Sequence, residues 1–505
     1  VTTVTRPAIT GIVFVATPRQ RPSAPQQRAI IAASMRLASH DRRIALILAA
    51  LVIVTHGYFY NGTGWNQGAR LGSIFAFVEP GPYHGTFRIE GFLDNRERGI
   101  ATGDWARHEG RHYSNKAPGT TFLGIPAYFA LYHAERALGF DPTSARATLV
   151  NGYLLSLACG ALWTAIASVV LYRFCATTLG WRPLDALIAS LVYALATLVF
   201  PFDSSLWGHT TAAAFALIGY VFLMNATRGP HALVLAGFFC GMAFLTEYLS
   251  GISLAAATAY VLVSRRHRGR ALYFLAGAAL PVLALLIYQK ALFGSFLTTA
   301  TSLQNPGFLG ARRGGPLFGP PSPAIVAALL VSLHRGVFVY MPVLLFAMVG
   351  AIRLARAREW DRLVVPAANV LAFLIAVSCF QAGWHGGDSA GPRYLIASIP
   401  FWCLLLPPAS ALSPLRRAAF LAAAVFSFAN MLVVNATTTM VPSDVPNPLY
   451  GELWPALMRG RLGSGAQVFT LGGAAFGYEG LTALAPLAVL LAAGLFVLMR
   501  MTRGR

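Results

Sequence analysis

The sequence predicts an all-α polytopic membrane protein. It would have about 12 transmembrane helices and a long first outer loop carrying surface helices. Two observations carry this. Hydrophobic residues fill 56% of the 505 positions and charged residues only 11%, where a soluble chain has about a quarter charged. Apolar runs of about 17 to 25 residues also recur along the chain, each long enough to cross a bilayer as a helix.

Spans are predicted near 44–60, 146–172, 184–202, 208–226, 231–247, 249–264, 271–292, 336–352, 363–380, 394–411, 418–436 and 481–500. Residues 1–40 contain Pro, Gln and Arg without a sustained apolar run, and read as a poorly ordered cytoplasmic tail, with Met35 an alternative beginning. Residues 41–505 make up the transmembrane domain, with 61–145 as its first outer loop. Within that loop, Pro126, His133, Glu135 and Arg136 make 118–138 a poor span and a better helix lying along the membrane surface.

The net charge of +21 does not point to nucleic acid. Its arginines stand in short stretches between apolar runs: Arg173 and Arg182, Arg265-Arg266 with Arg268, Arg353 to Arg362, Arg416-Arg417 and Arg500 to Arg505. With 118–138 outside the bilayer, these stretches all face the cytoplasm, as the positive-inside rule expects. Both termini are then cytoplasmic, and 61–145, 293–335 and 437–480 lie outside, joined by the turns 203–208 and 381–393. The five cysteines lack CxxC spacing, so no disulfide framework is indicated.

The unusual polar residues concentrate on that outer face. Lys116, one of only two lysines beside Lys290, joins Arg393 and Arg70 as positive charge near the membrane surface. Such groups suit a phosphate, arginine as a fork and lysine as a point charge. Asp104 and Asp94 offer a carboxylate for general-base work. His209 and Glu247 stand beside span ends, and "WHGGDSAGPRYL" places Trp384, His385, Asp388, Arg393 and Tyr394 around a Gly-rich turn. Trp65, Trp105, Trp207 and Trp384 read as a sugar-pocket lining or, more commonly, an interfacial aromatic belt. No His/Asp cluster has metal-ligand spacing, so no cofactor is expected, with a divalent metal left open.

The run Gly103-Asp104-Trp105, Gly110, Tyr113, Lys116, Pro118, Gly119 resembles the GT-C superfamily of membrane glycosyltransferases. Within it, the similarity is to protein O-mannosyltransferases and the lipid A aminoarabinose transferase. The stretches "YSNKAPG", "GHTTAAA", Glu247-Tyr248, "GGDSAGPRYLIASIPF" and "NPLYGELWPALMRGRLGSGAQ" look closer still to a bacterial GT-C group.

The resemblance implies a sugar transferase of the bacterial cytoplasmic membrane, working at the outer face with inversion. Its donor would be a polyprenyl-phosphate sugar, and its acceptor a lipid, glycan or protein. Lys116 would contact donor phosphate. In the superfamily an acidic pair often follows the first span, and here Asn66-Gln67 stand in that place. An amide is no general base, so the base role passes first to Asp104, then Asp94, with Asp388 and Glu247 more distant. The pocket would include Asn66, Tyr113, His209, Glu247, Trp384, His385, Asp388 and Tyr394. The rival readings are a lipid or solute transporter and an inactive GT-C-like scaffold.

Overall fold

The structure is a computed structural model that describes residues 41–62, 64–226, 229–310, 318–463 and 467–503. The expected tail 1–40 lies outside the described residues. The chain divides into two compact units, Val1–Leu46 and Ile47–Arg505. In the first, the described residues 41–46 are helical. All features discussed below belong to the second.

Among the described residues, five helices are long and apolar enough to cross a membrane: Ala145–Thr178, Arg268–Phe293, Trp360–Ser378, Pro414–Thr437 and Gly480–Thr502. Shorter apolar helices run at Pro183–Leu195, Gly208–Met224, Pro230–Thr246, Tyr248–Val263 and Arg393–Leu404. Local chemistry sets several ends. The Ser144 hydroxyl accepts from the Ala147 amide at 3.2 Å and caps the longest helix, satisfying a donor that the first turn leaves open. Helices Pro230–Thr246 and Ala271–Phe293 pack backbone to backbone. A Cβ on Gly237 would stand 1.9 Å from the Phe274 carbonyl oxygen, and one on Gly277 equally close to that of Val234. Small residues at such a crossing permit the approach that membrane helices need in place of a hydrophobic drive.

Three expected spans are interrupted where prolines fall. The 184–202 span stops at Leu195 and resumes as the short Val199–Phe202 helix around Pro201. The 336–352 span is divided into Val337–Tyr340, Pro342–Leu345 and Phe346–Arg356. The 394–411 span ends at Leu404, before Pro407-Pro408. Proline lacks the amide that continues a helix and its ring crowds the preceding turn. The 118–138 segment forms helix Gly119–Ala137, which contains Pro126 and is not among the helices apolar enough to span.

The 61–145 region holds helices Trp65–Val78 and Gly119–Ala137, and also small antiparallel ladders that an all-α reading omits. Asp94-Asn95 pairs with Ile100-Ala101, and Trp105–His108 pairs with Arg111–Ser114. The second hairpin turns on Glu109 (φ 49°) and Gly110 (φ 80°), two left-handed residues matching the right-handed twist of its strands. A third ladder, Phe59–Asn61 with Val468–Thr470, ties the start of the region to a segment late in the chain.

One buried clamp fastens this region. Arg98 donates to both oxygens of Glu79 at 2.7 and 2.9 Å, and to the Thr148 hydroxyl at 3.1 Å. Tyr128 OH donates to Glu79 at 2.6 Å, and the guanidinium carbon lies 4.7 Å from the Phe75 ring centroid. Both ends of the ion pair are only 10% exposed, whereas the Arg96–Asp94 pair is 88% and 63% exposed. Removing one partner of a buried pair costs about 3–5 kcal/mol, an exposed pair about 0–1. Arg98→Ala is therefore expected to lower the thermal unfolding midpoint of the detergent-solubilised protein by several degrees, and Arg96→Ala to leave it unchanged. Equal midpoints for the two variants would remove the clamp from the account.

Candidate active site

Helix Trp65–Val78 presents Asn66 and Arg70 one turn apart on the same face. Arg70 Nη1 donates to the Asn66 side-chain oxygen and, at 3.3 Å, to its carbonyl. So Asn66, where an acid was anticipated, orients an arginine. Arg70 is 1% exposed. Burial pulls its pKa down to about 10, against the opposing pull of Glu247 and Asp104, while Arg393 adds to the depression.

The second hairpin supplies the next pair. Trp105 lies opposite Ser114, and the Asn115 amide donates to the Asp104 carbonyl at 3.1 Å. This register sets Asp104 opposite Asn115 and so next to Lys116, whose Nζ lies 3.0 Å from Asp104 Oδ2. Asp104 is fixed from behind, its amide donating to the Thr102 hydroxyl at 3.0 Å. Burial lowers the Lys116 pKa, Asp104 pulls it back up, and Arg393 and Arg70 lower it further.

Ala117-Pro118-Gly119 then turns the chain into helix Gly119–Ala137. A Cβ on Gly119 would stand 2.7 Å from the Thr246 backbone nitrogen, so only glycine lets this helix start sit against the end of Pro230–Thr246. That end presents Glu247, whose Oε2 lies 3.0 Å from His209 Nδ1. Gly208 has the same use, since a Cβ there would meet Arg70 Nη2 and the Thr246 carbonyl oxygen, each at 2.8 Å.

Arg393 closes the group. Its guanidinium carbon lies 5.1 Å from the Trp207 ring centroid and 5.5 Å from that of Tyr394. The His209 ring stacks on Trp207 at 5.8 Å and meets Tyr394 edge-on at 6.3 Å. The Gly-rich turn before Arg393 is held by Arg335, a fully buried residue. It donates to the carbonyls of His334 and His385 at 3.1 Å and of Gly387 at 3.3 Å. Sequence reasoning missed Arg335. Its one signal was an arginine at the expected start of an apolar span, where a charge is costly unless paired.

The fold thus gathers Asn66, Arg70, Asp104, Lys116, His209, Glu247, Arg393 and Tyr394. The other sequence candidates lie around or away from this group. Asp94 is exposed and pairs with Arg96. Asp388 is exposed and accepts from the Ser443 amide at 2.9 Å. Trp384 and His385 pack with His334 at 5.8 and 6.0 Å. Tyr113 turns toward Phe293 and lines an apolar groove of about 500 Å³ with Phe122, Tyr288, Arg88 and Arg111; this groove shares no residue with the charged cluster. Among the described residues there is no group of three His, Cys, Asp or Glu that would hold a metal.

Buried polar atoms in and beside this group that carry no hydrogen bond include Arg70 Nε, Arg393 Nε, Trp207 Nε1, Asn115 Oδ1 and Oγ1 of Thr120 on helix Gly119–Ala137. Buried polar groups are ordinarily paired. Three of these are N–H donors, two of them on cations, so what would satisfy them is an anion or a polar acceptor.

No family model and no curated protein sequence matches the chain. Among solved structures, it is similar to ArnT from Cupriavidus metallidurans in the apo state. The identity is 15% and the TM-score 0.46, over 94% of this chain and 76% of that one. The same protein bound to undecaprenyl phosphate matches at 14% identity and TM-score 0.46, over 91% and 75%. The archaeal oligosaccharyltransferase AglB from Archaeoglobus fulgidus, in complex with an inhibitory peptide and a dolichol-phosphate, matches at 13% identity and TM-score 0.47. That match covers 83% of this chain and 58% of AglB.

The Lys116–Asp104 pair makes a direct prediction. If Asp104 holds up the lysine's proton affinity, removing its charge leaves burial and the two arginines unopposed. In Asp104→Asn the neutral, reactive amine then appears at lower pH than in the wild type. Trace acetylation of Lys116 across a pH series, read by mass spectrometry with Lys290 as internal reference, measures this. An unmoved midpoint would mean that Asp104 is not the lysine's counter-ion.

Proposed function

We propose that the chain is an inverting glycosyltransferase that moves a sugar from a polyprenyl-phosphate donor to a lipid, glycan or protein acceptor. This reading takes the arrangement of about 12 spans with both termini cytoplasmic, and puts the charged cluster at the outer face of a bacterial cytoplasmic membrane. The observation that carries it is the balance of the cluster. Lys116, Arg70 and Arg393 stand against two carboxylates, Asp104 and Glu247, which leaves one positive charge for a phosphodiester monoanion. The orphaned arginine donors and the motif resemblance at 103–119 support the same assignment.

In this reaction an acceptor oxygen attacks the anomeric carbon opposite the phosphate. The bond from that carbon to the phosphate oxygen breaks, its electron pair leaves with polyprenyl phosphate, and the acceptor's proton passes to a base. The growing phosphate charge is stabilised by cations already in place, which need no reorganisation as the bond breaks. Lys116 is the contact on which phosphate and Asp104 compete. Asp104 acts here as the lysine's counter-ion and keeps the ammonium charged and placed.

Purified protein incubated with radiolabelled undecaprenyl-phosphate sugars and membrane extract is expected to transfer label from one of them. Lys116→Ala should weaken undecaprenyl-phosphate binding by on the order of 1.5–3 kcal/mol, the usual worth of a hydrogen bond to a charged group. Unchanged affinity in that variant would remove Lys116 from the donor site.

A further inference from the structure

We infer that His209, held by Glu247, is the base that accepts the acceptor hydroxyl's proton. The inference rests on the transferase reading above and names a residue that the reading leaves open.

Three observations carry it. The first concerns the competing carboxylate. Asp104 Oδ2 is 3.0 Å from the Lys116 ammonium, and its Oδ1 lies 3.5 Å from the Asn115 amide nitrogen. Both oxygens are engaged within the hairpin, on the phosphate-binding side of the chemistry. Asp94, the second carboxylate suggested by the sequence, is exposed and paired with Arg96, outside the cluster.

The second is the geometry of the histidine. His209 Nδ1 lies 3.0 Å from Glu247 Oε2. A carboxylate at Nδ1 favours the proton on that nitrogen and leaves the Nε2 lone pair to take another. The ring is held in place by Trp207 on its face and Tyr394 at its edge. A base oriented by a third group in this way is a recurrent arrangement in proton abstraction from hydroxyls.

The third is placement. The charged groups facing the pair are Arg70 from helix Trp65–Val78, Lys116 from the hairpin end and Arg393 from the Gly-rich turn. Arg393 lies over the same two rings, Trp207 and Tyr394, that hold His209. The base is thus fixed to the same aromatic pair as a phosphate-binding arginine, so donor and acceptor meet between them.

The step balances without a further reactant. His209 Nε2 takes the hydroxyl proton as the acceptor oxygen bonds to the anomeric carbon. The phosphate leaves with the electrons of the broken bond, and the imidazolium, stabilised by Glu247, returns its proton to water. Glu247 acts through the histidine and is a positioning residue.

The experiment compares His209→Gln, His209→Ala, Glu247→Gln and Asp104→Asn with the wild type. Transfer is measured at saturating donor from the labelled undecaprenyl-phosphate sugar panel, and binding with undecaprenyl phosphate alone. His209→Gln should lower kcat by about 10²–10⁴-fold, the usual worth of a general base, with undecaprenyl-phosphate affinity unchanged. Added imidazole should restore turnover to His209→Ala and not to Asp104→Asn. Glu247→Gln should lower kcat at saturating donor while the protein still binds undecaprenyl phosphate, and it stands in for the histidine variants if those fail to bind the lipid. Normal turnover in both His209→Gln and Glu247→Gln, with Asp104→Asn inactive, would give the base role to Asp104 and overturn the inference alone. A wild-type protein that binds undecaprenyl phosphate yet transfers none of the sugars would overturn the transferase reading, and the inference with it.

Discussion

Everything in the site depends on keeping cations charged inside an apolar chain. Taking an ammonium or guanidinium out of water costs several kcal/mol unless opposite charge and hydrogen bonds replace the lost solvent. Here Arg70 is buried and Lys116 and Arg393 are half-buried, and each has a partial replacement. Lys116 has Asp104 at 3.0 Å, Arg70 has the Asn66 oxygens and the nearby carboxylates, and Arg393 has two aromatic faces. The compensation stops short of neutrality, and that remainder is what the proposed phosphate would meet.

The scaffold follows from holding these groups in place. The Arg98–Glu79–Tyr128 clamp joins the end of helix Trp65–Val78, the turn of the first ladder and the middle of helix Gly119–Ala137, so Arg70 and Lys116 ride on elements tied to each other. Two glycines, Gly119 and Gly208, remove the side chains that would otherwise separate the hairpin, Arg70 and Thr246. Arg335 fixes the turn before Arg393 through two of its carbonyls, His385 and Gly387. Rigid support of this sort is what electrostatic catalysis requires, because donors that must first reorient lose most of their advantage.

Much of this was legible in the sequence, and what was not has a physical cause. Apolar runs announced the long helices, because burying a backbone in lipid leaves helix as the ready solution. The polar residues in 118–138 announced a helix that does not meet the composition of a span. The hairpin at 105–114 was not announced: its strands are four residues each, too short for alternation to rise above a polar loop. Lys116, Arg393 and Arg70 were singled out one by one, and so were His209 and Glu247. Their contacts with Asp104, with each other and with Trp207 join residues 12, 38 and 186 positions apart, which only packing decides. Asp104 stood in the motif as a carboxylate, yet its use depends on which group its oxygens face, and the hairpin register sets that. Arg335 offered only its charge at the start of a span, since its partners are backbone carbonyls that any sequence would supply.

The account's central claim is that the cluster around Lys116 is where a lipid-linked phosphate binds. An experimental structure of the protein with undecaprenyl phosphate tests it most directly. The account predicts phosphate oxygens in hydrogen-bond contact with Lys116 Nζ and at least one of the Arg70 and Arg393 guanidiniums, with the Asp104–Lys116 contact loosened. Phosphate density elsewhere, for instance beside Arg88 and Arg111 at the apolar groove, with the Asp104–Lys116 pair intact, would contradict it.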